Sequence, residues 1–107
     1  MNTLSQREEQ IMLTIWTLHD DAYLVAIKKY LSIVLRKNWS VGAIHKPLRR
    51  LEKAGYLKSY LGEATAIRGG RAKKIYRITR QGLVVLAEHK KITQALWADF
   101  LEFNFSG

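Results

Sequence analysis

The chain has no cysteine, a single proline and only seven glycines among its 107 residues. Without cysteine it can form neither a disulfide nor a thiolate metal site, which fits a reducing compartment. Its uninterrupted apolar runs are far too short to span a bilayer, and no charged-then-apolar leader precedes a small-residue cleavage site. We therefore expect a cytoplasmic protein that consists of one domain around a single core.

The sequence also lacks any arrangement of residues typical of catalysis. His19, His45 and His89 are scattered, without an i, i+4 pair or a nearby carboxylate cluster that could hold a metal ion. The paired acids at 8–9 and 20–21 are explained by capping and solvation. We predict that the protein is not an enzyme and that it uses no metal or cofactor.

Acidic residues are scarce: the chain contains 9 Asp and Glu but 18 Lys and Arg, which gives a net charge of +9. Residues 36–80 contain thirteen Lys and Arg and two Glu, a net charge of +11. The rest of the chain contains five Lys and Arg and seven Asp and Glu, a net charge of −2. Positive charge gathered in one region is what a polyanion-binding surface requires. DNA fits better than a membrane, since no helix joins a basic face to a broad exposed aromatic one.

Residues 40–55 predict an amphipathic helix in the middle of this basic region. Ser40 is a suitable N-cap, and Gly55 can end the helix in a left-handed conformation. Pro47 in its interior predicts a bend or an irregular first turn, and costs about 3 kcal/mol if nothing compensates. The apolar positions are Val41, Ile44, Leu48 and Leu51; opposite them lie Gly42, Lys46, Arg49 and Lys53, flanked by His45 and Arg50.

A solvated surface helix would show a similar pattern, but it would also carry pairs of opposite charge. Only Glu52 offers a negative partner within this helix, so i, i+4 pairing is mostly absent. We therefore favour recognition of a DNA groove by this helix.

A β-hairpin is predicted directly after the helix, because residues 56–61 and 74–79 alternate with strand periodicity. Glycines beside arginines in the connection would let its backbone approach a phosphate chain or enter a minor groove. A polar connecting loop would have a similar composition. The predicted DNA-binding residues are Ser40, Gly42, His45, Lys46, Arg49, Arg50 and Lys53 in the helix, and Arg68, Gly70, Arg71, Lys73 and Lys74 in the hairpin.

Two helices are predicted before the basic segment. The first opens with a capping box formed by Ser5 and Glu8 and runs to about Leu18. The second covers about residues 23–36, and a short connection joins it to the basic helix. Two helices joined in this way, the second of them basic, form a helix-turn-helix.

Thr79 is expected to cap a final helix that runs from Arg80 into the region of Phe103. Such a helix would be about 36 Å long, which is longer than so small a core can cover. Its distal end would expose several aromatics of about 150–250 Å² each, and exposed patches of that size usually mark an interface. A homodimer is the simplest expectation, and folding back onto the same domain is the alternative. The predicted dimer residues are Ile92, Leu96, Trp97, Phe100, Leu101 and Phe103.

Taken together, these residues make the chain resemble the PadR family of bacterial transcriptional regulators. The matching residues are Ala22-Tyr23-x-Val25-x-Ile27, Ser40-x-Gly42-Ala43-Ile44, Leu48-x-Arg50-Leu51-Glu52-x-x-Gly55-Tyr56-Leu57, Gly69-Gly70-Arg71, Tyr76-Arg77-Ile78-Thr79 and Gly82. The Leu-x-Arg-Leu-Glu-x-x-Gly part is common to many winged helices, whereas the Gly-Gly-Arg wing followed by Tyr-x-Ile-Thr-x-x-Gly is more specific. The chain departs from the family in having His45 where a tyrosine is typical.

The resemblance implies a mainly α protein with a small antiparallel β-hairpin, a winged helix-turn-helix of the α+β class. Residues 1–79 would form the DNA-binding part and residues 80–107 a long C-terminal dimerisation helix of the same domain. The implied function is sequence-specific repression, through a homodimer bound to a near-palindromic operator on double-stranded DNA. Some members bind aromatic small molecules at the dimer interface; Trp16, Trp97 and Phe100 could line such a cavity, although packing explains them as well.

Two other functions remain open from the sequence. The basic face could bind an acidic protein, which would make the chain an interaction module. It could also bind DNA without sequence preference, as architectural proteins do. Selection from random duplexes separates these alternatives, because only a sequence-specific regulator enriches a defined inverted repeat.

Overall fold

Four α-helices and one β-hairpin make up the part of the chain that the computed structural model describes, residues 4–62 and 72–105. In chain order these are α1 Gln6–Leu18, a 3-10 turn His19–Asp21, α2 Leu24–Leu35, α3 Val41–Lys53, β1 Leu57–Leu61, β2 Lys74–Ile78 and α4 Arg80–Phe105. The two strands pair antiparallel, with Leu57 opposite Ile78 and Leu61 opposite Lys74. This confirms the predicted mainly helical α+β fold with its antiparallel hairpin.

The predicted helix caps are formed. In the capping box of α1, Ser5 Oγ accepts from the backbone N–H of Glu8 at 3.1 Å, and Glu8 Oε1 accepts from the Ser5 N–H at 2.8 Å. Ser40 Oγ accepts from the N–H of Ala43 at 3.1 Å and so caps α3. Gly55 follows α3 with a φ of 86°, the left-handed conformation predicted for it.

Pro47 lies inside α3, yet the helix runs unbroken from Val41 to Lys53. Proline lacks the N–H that would donate to the carbonyl of Ala43, one turn earlier. Its ring is buried, and burial of that apolar surface offsets part of the lost hydrogen bond. The extent predicted for this helix from its caps is therefore confirmed despite its proline.

The core lies where α1, α2 and α3 meet the hairpin. Three of the four apolar positions predicted for α3, Ile44, Leu48 and Leu51, are buried there. Val41 is exposed instead, because it is the first residue of the helix and its turn lies at the edge of the core. The other large buried side chains are Leu4 before α1, Ile11, Met12 and Ile15 from α1, Ile27 and Leu31 from α2, Trp39 before α3, Leu57 and Tyr76 from the hairpin, and Val85 from α4.

Thr79 joins the end of α3 to the hairpin and to α4. Its Oγ1 donates to the Gly55 carbonyl at 2.6 Å and accepts from the Gly82 N–H at 3.0 Å, which confirms it as the cap of α4. Its own N–H donates to the Tyr56 carbonyl at 3.0 Å. At Gly82 the backbones approach so closely that a Cβ would lie 2.2 Å from the Tyr56 carbonyl oxygen. The start of α4 is thus fixed against α3 and the hairpin.

The distal half of α4 projects beyond the core. The radius of gyration is 16.3 Å and the extents are 61 × 29 × 21 Å, whereas a compact chain of this length has a radius of about 13 Å. His89 of α4 contacts α1, with its Nε2 3.2 Å from Glu9 Oε2. Beyond it, Leu96 is 69% exposed and Trp97 60% exposed.

The other predicted dimer residues on α4 behave similarly. Ile92, Phe100 and Leu101 are also exposed, and the side chain of Phe103 lies outside the described part of the chain. Within residues 4–62 and 72–105, no helix combines the length and the apolar character needed to cross a bilayer.

Candidate nucleic-acid interface

The cationic face of α3 points to solvent, opposite the face that packs into the core. Lys46, Arg49, Arg50 and Lys53 are all exposed, and together they line one shallow groove along the helix. A helix that buries one side and presents a row of long cationic side chains on the other can enter a groove of DNA without losing its packing.

A neighbouring groove connects α3 to the hairpin. It is lined by four residues of α3 and by Lys74, the first residue of β2; those of α3 are His45, Arg49, Glu52 and Lys53. Because Arg49 and Lys53 also line the groove along α3, the two grooves form one continuous surface. The fold therefore brings the helix and the base of the hairpin together, as a winged-helix interface requires.

Lys73 and Lys74 lie beside aromatic rings at the edge of this surface. Lys73 Nζ is 4.1 Å from the centroid of the Tyr23 ring, and Lys74 Nζ is 5.4 Å from that of Tyr76. These four residues line a further groove together with His45 of α3. The rings attract the ammonium groups through their quadrupoles and so orient them without neutralising their charge.

Glu52 connects α3 to both strands of the hairpin. Its Oε2 accepts from Ser59 Oγ on β1 at 2.5 Å, and its Oε1 lies 3.3 Å from Lys74 Nζ on β2. The hydrogen bond from Ser59 holds the pKa of the carboxyl below its usual value; desolvation opposes this effect and Lys74 adds to it. The sequence showed Glu52 only as the one acid of α3, and did not reveal this connecting role.

Ser40 and Gly42 lie in the exposed first turn of α3. Ser40 Oγ is already used as the acceptor that caps the helix, but its hydroxyl proton remains available for donation. A Cβ placed on Gly42 would meet no atom within 4 Å. The packing of the described chain therefore does not require a glycine at this position.

Arg7 and Lys37 were not among the predicted contacts, and both lie on the same side of the molecule as α3. They approach the ring of Trp39, which is buried directly before α3. A groove beside them is lined also by Gly42, Lys46 and Arg50. Lys37 falls in the basic region of the sequence, but Arg7 stands in a capping box of α1, where nothing in the pattern connects it to α3.

Arg50 lines this groove and also contacts α1. Its Nη1 lies 3.7 Å from Glu8 Oε2, while its side chain stays 67% exposed. An ion pair at that exposure is worth little and leaves the guanidinium accessible to another anion.

Some predicted site residues are not brought into this surface. Arg68, Gly70 and Arg71 lie outside the described residues and remain predictions. Trp16 lines a cleft with His19 and Arg77 near the end of α1. Trp97 and Phe100 instead contact each other edge to face on α4, with ring centroids 5.6 Å apart. In residues 4–62 and 72–105, His, Asp and Glu side chains form no group of three or more that could hold a metal ion.

Comparisons with known proteins agree with this architecture. Residues 13–88 match the family described as the transcriptional regulator PadR-like family. A PadR-like transcription factor from Bacteroides fragilis is 29% identical, over 90% of this chain and 84% of that one, with a TM-score of 0.65. A PadR family transcriptional regulator from Eggerthella lenta is 26% identical, over 94% and 86%, with a TM-score of 0.70. No curated protein matches the chain.

A third solved structure is similar over nearly its whole length. It is a transcriptional regulator from Clostridium thermocellum, 25% identical, with 92% of this chain and 98% of that one covered and a TM-score of 0.61. The projecting α4 is thus included in the likeness, since the alignments cover more of the chain than the hairpin and the first three helices alone.

Proposed function

This chain belongs to the transcriptional regulator PadR-like family, and we propose that it acts as a repressor by binding a near-palindromic operator as a homodimer. Membership confirms the resemblance noted from the sequence and the predicted winged-helix fold. It also confirms the prediction that the protein is a DNA-binding regulator and not an enzyme. The operator, the dimer and repression are the proposal, as is a cytoplasmic location beside the DNA.

The observation that carries the proposal is the continuous cationic surface formed by α3 and the base of the hairpin. In the proposed complex α3 enters the major groove, and Lys46, Arg49 and Lys53 contact base edges or phosphates. His45 and Ser40 add hydrogen bonds. The hairpin follows the adjacent backbone or minor groove through Lys73 and Lys74, together with Arg68, Gly70 and Arg71 of its connection.

Residues 1–79 supply the DNA-reading part in this proposal, and residues 80–107 supply the dimer contact. The exposed apolar side chains of α4, among them Leu96 and Trp97, would be buried against the same helix of a second copy. A two-fold dimer places two α3 helices on one side of the duplex, so its half-sites should lie about one helical turn, 34–36 Å, apart in an inverted repeat. A dimer that covers such a site excludes other proteins from it, and repression is the expected consequence.

Selection of bound sequences from random duplexes tests the proposal. We expect enrichment of one inverted repeat, with a Lys46→Ala/Arg49→Ala double variant as the matched control that loses the enrichment. A chain that binds duplexes but enriches nothing is an architectural DNA-binding protein. A chain that binds no duplex at all contradicts the proposed DNA interface and leaves the protein-interaction alternative.

We also propose that an aromatic small molecule binds where the two α4 helices meet. The edge-to-face pair of Trp97 and Phe100 offers exposed rings there, and Trp16 of either copy could complete a cavity. Titration of aromatic compounds with tryptophan fluorescence as the readout tests this, with Trp97→Phe as the variant that should lose the signal. Quenching that persists when Trp16 and Trp97 are both replaced by Phe would place the compound elsewhere.

A further inference from the structure

We infer that Arg7 and Lys37, positioned on the ring of Trp39, form a second phosphate-binding region that holds the DNA backbone beside α3. The inference rests on the proposed DNA-binding function and extends it to Arg7 and Lys37, which were not among the predicted contacts. Its ligand is the phosphate chain of the duplex that α3 reads.

Two cations from separate elements approach one aromatic ring. The Arg7 guanidinium carbon lies 4.8 Å from the centroid of the Trp39 ring, and Lys37 Nζ lies 5.6 Å from it. Arg7 belongs to α1, whereas Lys37 lies in the connection between α2 and α3. Trp39 is only 5% exposed, so the ring is a fixed platform on which both side chains rest.

These two positive charges have no carboxylate to balance them within the described residues. Glu8 accepts from the Ser5 N–H and pairs with Arg50, and Glu9 pairs with His89. Trp39 Nε1 has no hydrogen-bond partner in the same part of the chain, so the ring is held by packing and by the cations above it. Like charges kept together without an acid raise the local potential, which an anion from outside would relieve.

The region is continuous with the proposed interface. Arg7 and Lys37 line a groove together with Lys46 and Arg50, and these last two also line the groove along α3. At about 100° per residue, Lys46 and Arg50 lie on one flank of the cationic face of α3, while His45 lies on the other, toward the hairpin. The hairpin and the Trp39 region therefore border α3 on opposite sides.

This placement matches the geometry of a duplex. When a helix lies in the major groove, a phosphate chain runs along each wall of that groove, about 12 Å apart. The base of the hairpin faces one chain, through Lys73 and Lys74, and the Trp39 region faces the other. Arg7 and Lys37 would then fix how deeply and at what angle α3 sits, without reading any base.

The experiment compares an Arg7→Ala/Lys37→Ala variant with wild type on the selected duplex and on a random one, over a range of salt concentrations. We expect weaker binding to both duplexes by a similar factor, an unchanged sequence preference, and a slope of log K against log salt that is smaller by about 1.8 per bound copy and so by about 3.6 for the proposed dimer, since each phosphate contact contributes about 0.9. Arg7→Lys/Lys37→Arg keeps both charges and should bind with the wild-type slope.

A Lys28→Ala/Lys29→Ala variant is the matched control, because it removes two charges from α2, away from the grooves described here. The inference is overturned if the salt slope of Arg7→Ala/Lys37→Ala equals that of wild type, or if its loss of affinity is no larger than that of this control. Either result leaves the proposed function intact. A changed sequence preference also overturns it, since the residues would then read bases. A wild-type chain that binds no duplex overturns the proposed function itself.

Discussion

Replacement of Gly42 by alanine should raise the stability of the protein and weaken its binding to DNA. Gly42 lies in the first turn of α3 and is exposed, and its φ is not positive. Apart from its chain neighbours and the nearby backbone of α3, an added Cβ would meet no atom of the described residues within 4 Å. Alanine in a helix is favoured over glycine by about 0.5–1 kcal/mol, mainly because the unfolded chain loses conformational freedom. For a domain of this size that gain corresponds to a rise in Tm of about 2–8 °C.

The same methyl group should reduce affinity if the first turn of α3 lies against the duplex. Extra volume in a closely packed contact typically costs about 1–3 kcal/mol, which corresponds to an increase in Kd of roughly 5-fold to 150-fold. The two effects have opposite signs. Partial unfolding of the variant therefore cannot be the cause of the weaker binding.

Thermal unfolding followed by circular dichroism measures the first effect, and titration of a labelled operator measures the second. A variant with raised Tm and unchanged Kd would show that the start of α3 stands away from DNA, and would refute the docking geometry proposed here. A lowered Tm would instead show that the surroundings of Gly42 are not open, contrary to the structure. Val41→Ala, at the exposed neighbouring position, is a suitable control because it adds no bulk.

Three further predictions concern the parts of the fold that position α3. Gly82→Ala should lower the free energy of unfolding by about 1–3 kcal/mol in chemical denaturation, because its Cβ would lie 2.2 Å from the Tyr56 carbonyl oxygen; an unchanged midpoint would contradict that close approach. The pKa of Glu52 is lowered in the folded state, so its stabilising effect is present above the unfolded pKa of about 4.3 and is lost as pH falls through the folded value. The stability difference between wild type and Glu52→Gln should therefore shrink below about pH 4.3, and a difference independent of pH would speak against the ionised carboxylate. Leu96→Glu should convert the proposed dimer to a monomer in sedimentation experiments, whereas Ala98→Glu, on the opposite face of α4, should not; equal behaviour of the two would remove this face from the interface.

The sequence predicted those features of the interface that depend on residues near one another in the chain. Ser40 and Gly55 mark the ends of α3, and the apolar spacing between them identified the buried face. What it did not indicate are the connections between distant residues. Glu52 reaches Lys74 across 22 positions, and Arg7 meets Trp39 only because α1 packs against α3. Neither the spacing nor the composition of the chain carries that information.

In the proposed dimer, one small junction would couple the position of α3 on DNA to the assembly of two copies. Thr79 bonds to the residue that ends α3 and to the first turn of α4, and Gly82 lets α4 lie directly against the Tyr56 carbonyl. In the proposed dimer, the separation of the two α3 helices is set by the angle at which each α4 leaves this junction. A ligand that altered the packing between the two α4 helices would change that separation, and with it the fit to half-sites one turn apart. Dimer contact and DNA recognition are therefore expected to respond together to a change at either end of α4.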